Sequence, residues 1–290
     1  MAASLSADQV AAYRRDGYLL PLRAFGPDEA AGYRAMIETL ERETAPGSLP
    51  RPLNQFFRVN GHVVLPFMAQ IALTPAVLDA AESILGPDLL VWSCEFFIKE
   101  PGTPKVVTWH QDLTYWGLGE TDEELTVWVA LSPATRASGC MRFLPGSHHQ
   151  RILPHRDTFS ADNLLSRGQE IAVAVDEDAA VDVALAPGEM SLHHGRMFHA
   201  SGPNTSSDRR IGAAVRFVTP AVRQIVAERD YAMLARGSDR SGNWIDVAPP
   251  TAPFEPGAMA LYEQILRDQS SALAAGATGT VGLYAASPPA

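Results

Sequence analysis

Seven short β-rich segments follow one another from Leu89 onward, and this succession constrains the fold more than any other feature of the sequence. They are LLVWSCEFFI, KVVTWH, LTVWVAL, CMRFL, VDVAL, EMSLHH and IGAAVRFV, with glycine and proline between them. β-Branched and aromatic residues favour strands. Because no helical segment lies between these runs, they predict an antiparallel sandwich or barrel rather than a parallel α/β sheet.

Helical signals precede this β-rich region. Ser6 can cap a helix that stops at Gly17, and a second helix is expected from Pro27 to about Glu43. A third helix is expected from Pro75 to Leu85. The front quarter of the chain is therefore predicted to be mainly helical.

Helical signals return after Thr219. RQIVAERDYAMLAR and a stretch around Ala258 to Arg267 both predict helices, and the last residues are small and weakly patterned. No internal repeat or clear linker divides the chain, so we expect one domain over residues 1–290. Residues 1–88 would be mainly helical, 89–219 the β core, and 220–290 C-terminal helices with a frayed tail. The expected fold class is mainly β with flanking helices (α+β).

Composition favours a small-molecule partner. The formal net charge is −10, and no run rich in lysine or arginine offers the basic surface that nucleic acid or an anionic membrane requires. No apolar run approaches the length of a membrane span, and the N-terminus lacks the pattern of a secretion signal. The two cysteines, Cys94 and Cys140, are far apart and suit a reducing compartment. We expect a cytoplasmic protein; the sequence leaves its oligomeric state open.

The segment TWHQDLTYW places His110 and Asp112 one residue apart at the end of a predicted strand. Alternate residues of a strand share a face, so both side chains can point into a barrel while Gln111 points away. Chance gives about half a His-x-Asp pattern in such a chain, and a second copy, His155-Arg156-Asp157, does occur. The simpler alternative for His110 and Asp112 is a surface ion pair on a β edge. The second copy lies in polar sequence, and we expect it well away from any metal.

A mononuclear iron site of the facial-triad kind needs two imidazoles and one carboxylate. The second imidazole must come from a distant strand, and GEMSLHHGRMFHASGPNTSSDRRIGAAVRF offers three candidates, His193, His194 and His199. His193 and His194 alternate faces on one strand, so one of them is expected near the site. We interpret both as structural, with His194 the better candidate for a supporting role.

The same stretch resembles the distal motif of the phytanoyl-CoA dioxygenase (PhyH) family: a Gly-Asp/Glu strand, then His-x-Ser-x-x-Asn, then arginine. His110-Gln111-Asp112 resembles the proximal pair of that family, Trp128 follows 18 residues later, and GCMRFLPGSH resembles its strand-turn segment. The resemblance spans roughly residues 89–219. It implies a double-stranded β-helix of the jelly-roll or cupin-like type.

The resemblance also implies roles for individual residues. His110, Asp112 and His199 would bind Fe(II), with 2-oxoglutarate and O2 as cosubstrates. Arg210 would pair with the distal carboxylate of 2-oxoglutarate, because a guanidinium fork binds carboxylates bidentately. Ser201 would bind the same carboxylate, Trp128 would line its pocket, and Lys99 would add a further contact.

Substrate residues are less clear from the sequence. Tyr115 and Trp116 follow the proximal pair, and with Arg142 and a polar lid over residues 151–170 they are candidates for the substrate pocket.

The activity implied by the resemblance is hydroxylation of a small metabolite or natural-product intermediate at an unactivated carbon, with release of succinate and CO2. Related halogenases replace the carboxylate of the proximal pair with a small residue, and Asp112 therefore favours hydroxylation. Desaturation, epimerisation and ring closure stay open, as does an acyl-CoA substrate. Two other classes also remain: a metal-dependent hydrolase and a non-catalytic jelly-roll protein that binds a ligand.

Overall fold

The computed structural model describes residues 4–160, 162–165 and 168–273. Five helices and one strand precede the main β region. These are α1 (Ala7–Asp16), β1 (Tyr18–Arg23), α2 (Pro27–Glu43), α3 (Leu53–Arg58), α4 (Pro66–Ala72) and α5 (Pro75–Leu85). The Ser6 side chain caps α1 in a capping box with Gln9, and Gly17 ends it in the left-handed region at φ 82°. The three helices expected in this part of the chain are therefore confirmed.

Twelve further strands and one helix follow. They are β2 (Leu89–Lys99), β3 (Val107–His110), β4 (Glu124–Ala130), β5 (Met141–Phe143), β6 (His155–Asp157), β7 (Gln169–Ile171), β8 (Val181–Asp182), β9 (Glu189–His194), β10 (His199–Ser201), β11 (Arg210–Val218), β12 (Asp230–Arg236), β13 (Trp244–Asp246) and α6 (Pro256–Leu273). All seven β-rich segments predicted from the sequence contain a strand.

Two sheets face each other and form the expected double-stranded β-helix. The larger has the order β1-β9-β4-β11-β2-β12-β13 and the smaller β3-β10-β5-β8, and their pairings are antiparallel except between β12 and β13. One face of the larger sheet packs against the helices, where Val127 and Val215 join one core with Ile37 and Phe56. The opposite face meets the smaller sheet, where Trp128 and Ala214 pack with Phe143. The fold class is thus mainly β with flanking helices.

The helix predicted over RQIVAERDYAMLAR is wrong. Its second half is strand β12, which pairs with the free edge of β2, and residues 223–229 form an irregular segment with a bend. Tyr231, Ala232 and Met233 are buried in succession. Such a run suits a strand covered on both faces, and this tertiary pairing outweighs the local helical preference.

The predicted polar lid, residues 151–170, contains regular structure. His155–Asp157 and Gln169–Ile171 pair as a short antiparallel hairpin. Strand β1 was not predicted; it extends the larger sheet by pairing with β9. The helix expected around Ala258 to Arg267 is confirmed within α6, and the tail predicted after it, residues 274–290, lies outside the described residues.

None of the described helices is long and apolar enough to cross a membrane singly. One bent pair, Pro66–Ala72 with Pro75–Leu85, reaches that length and composition jointly.

Candidate metal centre

His110, Asp112 and His199 converge in the space between the two sheets. His110 ends β3, His199 begins β10, and antiparallel pairing sets these two residues directly opposite each other. Asp112 opens a 3-10 turn just after β3. One potential ligand atom from each of the three residues lies within 4.8 Å of the other two. The three side chains can therefore share a single ion.

The hydrogen bonds of the two imidazoles leave the correct nitrogens for a metal. His110 Nδ1 lies 2.9 Å from the carbonyl oxygen of Thr108, and His199 Nδ1 lies 3.0 Å from that of Met197. Nδ1 must donate to a carbonyl, so each Nε2 keeps its lone pair and faces Asp112. Nε2 of His110 is 3.3 Å, and that of His199 3.9 Å, from a carboxylate oxygen of Asp112.

Charge states at this site also suit a divalent metal. Burial lowers the pKa of His199 to about 4, so its imidazole is neutral at physiological pH. Burial by itself would raise the pKa of Asp112, but His199, His110 and the nearby Arg216 hold it well below its usual range. Two neutral imidazoles and one carboxylate are the donor set of non-haem Fe(II) oxygenases. The residues present therefore fit Fe(II).

A buried cationic group lies at one end of the same cavity. Arg210 begins β11 and pairs in register with Lys99, the last residue of β2. The Arg210 guanidinium donates to the carbonyl of Gly139 at 2.9 Å and lies 5.4 Å from the centre of the Trp128 ring. Lys99 Nζ donates to Ser201 Oγ at 2.8 Å. The metal triad shares its cavity with Arg210, Trp128 and Ser201.

Burial makes this end of the cavity receptive to an anion. It lowers the pKa of Arg210 to about 10, which leaves the guanidinium charged at neutral pH. Burial and the charge of Arg210 lower the pKa of Lys99 to about 6. Both pKa shifts reflect the free-energy cost of burying a cation without an anion beside it. A carboxylate at this end would relieve that cost.

Comparison with known proteins now decides the family. The family model for phytanoyl-CoA dioxygenase (PhyH) matches residues 13–212, which is most of the chain. The chain belongs to the phytanoyl-CoA dioxygenase family. Ectoine dioxygenase of Bordetella parapertussis is 32% identical over 162 residues, which are 51% of this chain and 51% of that protein. The chain thus spans about half the length of this curated relative.

Two solved structures extend the comparison. A non-heme monooxygenase, ThoJ in its apo form, is 35% identical with a TM-score of 0.80, and the match covers 92% of this chain and 97% of that one. CytC3 with Fe(II) and alpha-ketoglutarate is 24% identical with a TM-score of 0.64, over 87% of this chain and 97% of that one. The likeness to CytC3 shows the shared fold.

Gln111 fixes the segment that carries His110 and Asp112. Its side chain donates to the carbonyls of Arg151 and Arg196 and accepts from the backbone N–H of Leu153 at 2.8 Å. Gln111 does point away from the metal residues, as the alternation predicted. The sequence did not predict these hydrogen bonds of Gln111, because their partners lie far along the chain and no local sequence pattern indicates them.

The expectation that His155 lies well away from the triad is wrong. Its Nε2 accepts a hydrogen bond of 3.0 Å from the backbone N–H of Gln111, the residue between His110 and Asp112. Hairpin pairing of β6 with β7 brings the imidazole to this point. His155 is outside the ligand cluster, and it supports the backbone of the His-x-Asp segment.

His193, rather than His194, faces the cavity. The Nε2 of His193 lies 3.9 Å from a carboxylate oxygen of Asp112, and its ring centre is 5.0 Å from that of His199. His194 points to the opposite side, where its Nε2 bonds Asp122 at 3.1 Å. The preference for His194 as the supporting residue is therefore wrong; strand alternation predicted that one would face inward but not which one.

Tyr115, Trp116 and Arg142 are absent from the described residues that line the cavity. The Tyr115 ring packs edge-on against His155, and Arg142 binds Glu177 on the outer side of the smaller sheet. Trp116 packs against the guanidinium of Arg216, 4.7 Å from the ring centre. Trp116 thus reaches the cavity only through Arg216.

Among its described residues, the predicted lid contributes one residue to the cavity wall. Leu165 lines the cavity, and the segment before it is bound to β3 and its neighbours. Asn163 Nδ2 donates to Thr108 Oγ1 at 2.6 Å, and the N–H of Leu164 donates to the carbonyl of Val106 at 2.9 Å. Arg58 donates to the carbonyl of Leu164 from α3. These contacts hold the segment over the site.

Three charged residues near the triad were not placed at the site from the sequence. Arg216 lines the cavity, with Glu95 as its partner at 3.1 Å. Glu124 is fully buried, and burial together with Asp112 raises its pKa to about 8. The strand alternation that sets Arg210 toward the cavity also sets Arg216 toward it, and this signal could have identified Arg216.

Proposed function

We propose that the protein is an Fe(II)- and 2-oxoglutarate-dependent dioxygenase that hydroxylates a small metabolite or natural-product intermediate. The observation that carries the proposal is one cavity that a buried His-Asp-His triad shares with the buried cation Arg210 and with Ser201. His110, Asp112 and His199 would hold the iron. Bound iron and 2-oxoglutarate supply the oxidising chemistry, in which the cosubstrate is decarboxylated to succinate and CO2.

The roles of the protein residues follow from their positions. Arg210, backed by Lys99 through Ser201, would bind the distal carboxylate of 2-oxoglutarate with charge-assisted hydrogen bonds. Trp128 would hold the carbon chain of the cosubstrate against the guanidinium that it packs on. Carbonyl groups that accept from Nδ1 of both histidines fix the direction of each Nε2. The lid residue Leu165 would help to exclude water.

Hydroxylation is favoured over halogenation because Asp112 supplies a carboxylate at the triad. Desaturation, epimerisation and ring closure use the same oxidant, and the mass of the product distinguishes them from hydroxylation. A metal-dependent hydrolase or a ligand-binding jelly roll has no need of a buried cation such as Arg210, which is 1% exposed. This shared cavity therefore favours the dioxygenase.

A small free metabolite is the substrate class that we propose. A CoA ester carries several phosphate charges, and a chain of net charge −10 offers few clustered cations for them. The name of the relative, ectoine dioxygenase, is that of an enzyme for a small molecule, which supports the same class. We further propose a cytoplasmic location, supported by the free thiols of Cys94 and Cys140.

The test is a cosubstrate assay. Purified protein is incubated with 2-oxoglutarate, with and without Fe(II), and succinate is measured by mass spectrometry. We expect succinate only with Fe(II), and none from an Asp112→Ala variant. Absence of succinate from the wild type, with or without candidate substrates, would contradict the proposed function.

Substrates are compared in the same assay. Small free metabolites should increase succinate formation and gain one oxygen atom. Turnover of long-chain acyl-CoA esters, with none of free small molecules, would contradict the proposed substrate class and leave the iron chemistry standing.

A further inference from the structure

Two buried arginines on one face of β11 lie at different points of the same cavity. Arg210 and Arg216 are six residues apart and share a face with Gly212 and Ala214. At about 3.3 Å per residue, they are separated by roughly 20 Å along the strand. Ile211, Ala213 and Val215, on the other face, pack into the apolar core behind the sheet. The proposed function assigns a ligand to Arg210 and none to Arg216.

Arg216 is held rigidly against a carboxylate. Its Nη1 lies 3.1 Å from Oε2 of Glu95 and 3.3 Å from Oγ of Ser93. Ser93 Oγ also donates to Oε1 of Glu95 at 3.1 Å. Trp116 packs against the guanidinium, and Trp92 packs against Trp116 with 5.1 Å between ring centres. The cation and the anion are therefore oriented before any ligand binds.

Stability alone gives little reason to keep this ion pair. Arg216 is 6% and Glu95 is 7% exposed, so both charges have lost most of their water. Replacing a buried ion pair by apolar side chains of similar volume is often neutral or stabilising. The pair lies on the sheet face that borders the cavity, where a cation and an anion side by side complement a molecule that carries both charges.

Charge balance in the cavity with Fe(II) and 2-oxoglutarate bound narrows the class of substrate further. The two charges of Fe(II) and that of Arg210 would balance the two carboxylates of 2-oxoglutarate and Asp112, while Arg216 balances Glu95. Lys99 and Glu124 are both buried and carry opposite charges when ionised, so together they add no net charge. A substrate with a net charge would leave that charge uncompensated in a buried site. A zwitterion adds no net charge.

We infer that Arg216 and Glu95 determine substrate specificity, with Arg216 binding the carboxylate and Glu95 the ammonium group of a small zwitterion of the amino-acid type. This inference rests on the proposed function and names the substrate class of the same site. Arg216 binds the anionic group through its rigid fork, and Trp116 fixes the plane of that fork.

The experiment measures discrimination between matched compounds. The probes are the proteinogenic L-amino acids, each as the free zwitterion, the methyl ester and the N-acetyl acid. The readout is succinate formed above the rate without added compound. For the wild type we expect the best free amino acid to exceed both its ester and its N-acetyl form about tenfold or more, because each blocked form loses a charge-assisted hydrogen bond.

Each variant should remove the preference for one of the two free charged groups, the acid or the amine. Arg216→Gln should reduce the preference for the free acid over the ester to about one, while the preference for the free amine persists. Glu95→Gln should do the reverse, and Arg216→Lys should restore part of the acid preference. These ratios are unaffected by a general loss of active protein. Arg209→Gln is the matched control, since Arg209 binds Glu41 and Glu100 at the surface and should keep both preferences.

The contradicting outcomes are separate from those of the proposed function. Succinate formation that no zwitterion increases, or that esters and free acids increase equally, overturns the inference and leaves the dioxygenase in place. Unchanged ratios in both Gln variants overturn it as well. If Arg216→Gln does not fold, the ratios of Glu95→Gln and Arg216→Lys decide. A wild type without any succinate overturns the proposed function itself.

Discussion

Replacing Arg210 tests the cosubstrate end of the cavity. Arg210→Ala removes a guanidinium that is 1% exposed and that no other charged side chain in the described cavity lining can replace from the same position. Truncating one partner of a buried, hydrogen-bonded charge pair costs about 2–5 kcal/mol. That cost corresponds to an increase of about 30-fold to several thousand-fold in the KM for 2-oxoglutarate. Metal affinity should stay nearly unchanged, because no ligand is lost.

The assay follows succinate over a range of 2-oxoglutarate concentrations at saturating Fe(II), and titration calorimetry with Ni(II) measures metal affinity. Arg210→Lys should recover only part of the affinity, since an ammonium group cannot reproduce the two parallel hydrogen bonds of the fork. Arg209→Ala is the matched control, because the neighbouring Arg209 binds Glu41 and Glu100 instead. An unchanged KM in both Arg210 variants would refute the assignment, and Lys99 would then be examined.

Three further predictions concern other residues. Asp112→Ala should weaken Ni(II) binding at least tenfold in calorimetry, because the only carboxylate of the triad is lost; unchanged binding would exclude Asp112 as a ligand. Glu124→Gln should stabilise the metal-free protein at pH 8 and much less at pH 5. The pKa of Glu124 is raised from 4.5 to about 8, so its ionisation destabilises the wild type progressively between these pH values, by at most about 5 kcal/mol. An equal stabilisation by Glu124→Gln at pH 8 and pH 5, measured by urea denaturation, would contradict this. Arg142→Ala should leave the KM for 2-oxoglutarate within about twofold, since Arg142 contacts Glu177 outside the cavity; a large increase would return Arg142 to the site.

Local sequence patterns predicted helix boundaries and the direction of strand side chains, because both depend on residues close in sequence. The capping box at Ser6 and the prolines that open α2 and α5 gave helix boundaries close to those observed. Strand alternation around His110 indicated which residues face inward, although Asp112 lies in a turn just beyond the strand. The assignment of residues 1–290 to a single domain stays a prediction.

Features that depend on partners distant in the chain could not be predicted. Residues 230–236 have a helical composition, and pairing with β2 and β13 makes them a strand. Gln111 and His155 support the metal segment through contacts more than 40 residues apart, which leave no mark on either local pattern. Arg216 differs, because it lies on the same face of β11 as Arg210. Strand alternation could therefore have predicted that it faces the cavity.

The central claim is that His110, Asp112 and His199 hold a single iron, and anomalous diffraction tests it most directly. Crystals would be grown without oxygen with Fe(II) and 2-oxoglutarate, and data collected on both sides of the iron absorption edge. We predict one strong anomalous peak about 2.0–2.2 Å from Nε2 of both histidines and from a carboxylate oxygen of Asp112. A peak elsewhere, or none at these three side chains in fully loaded protein, would contradict the claim.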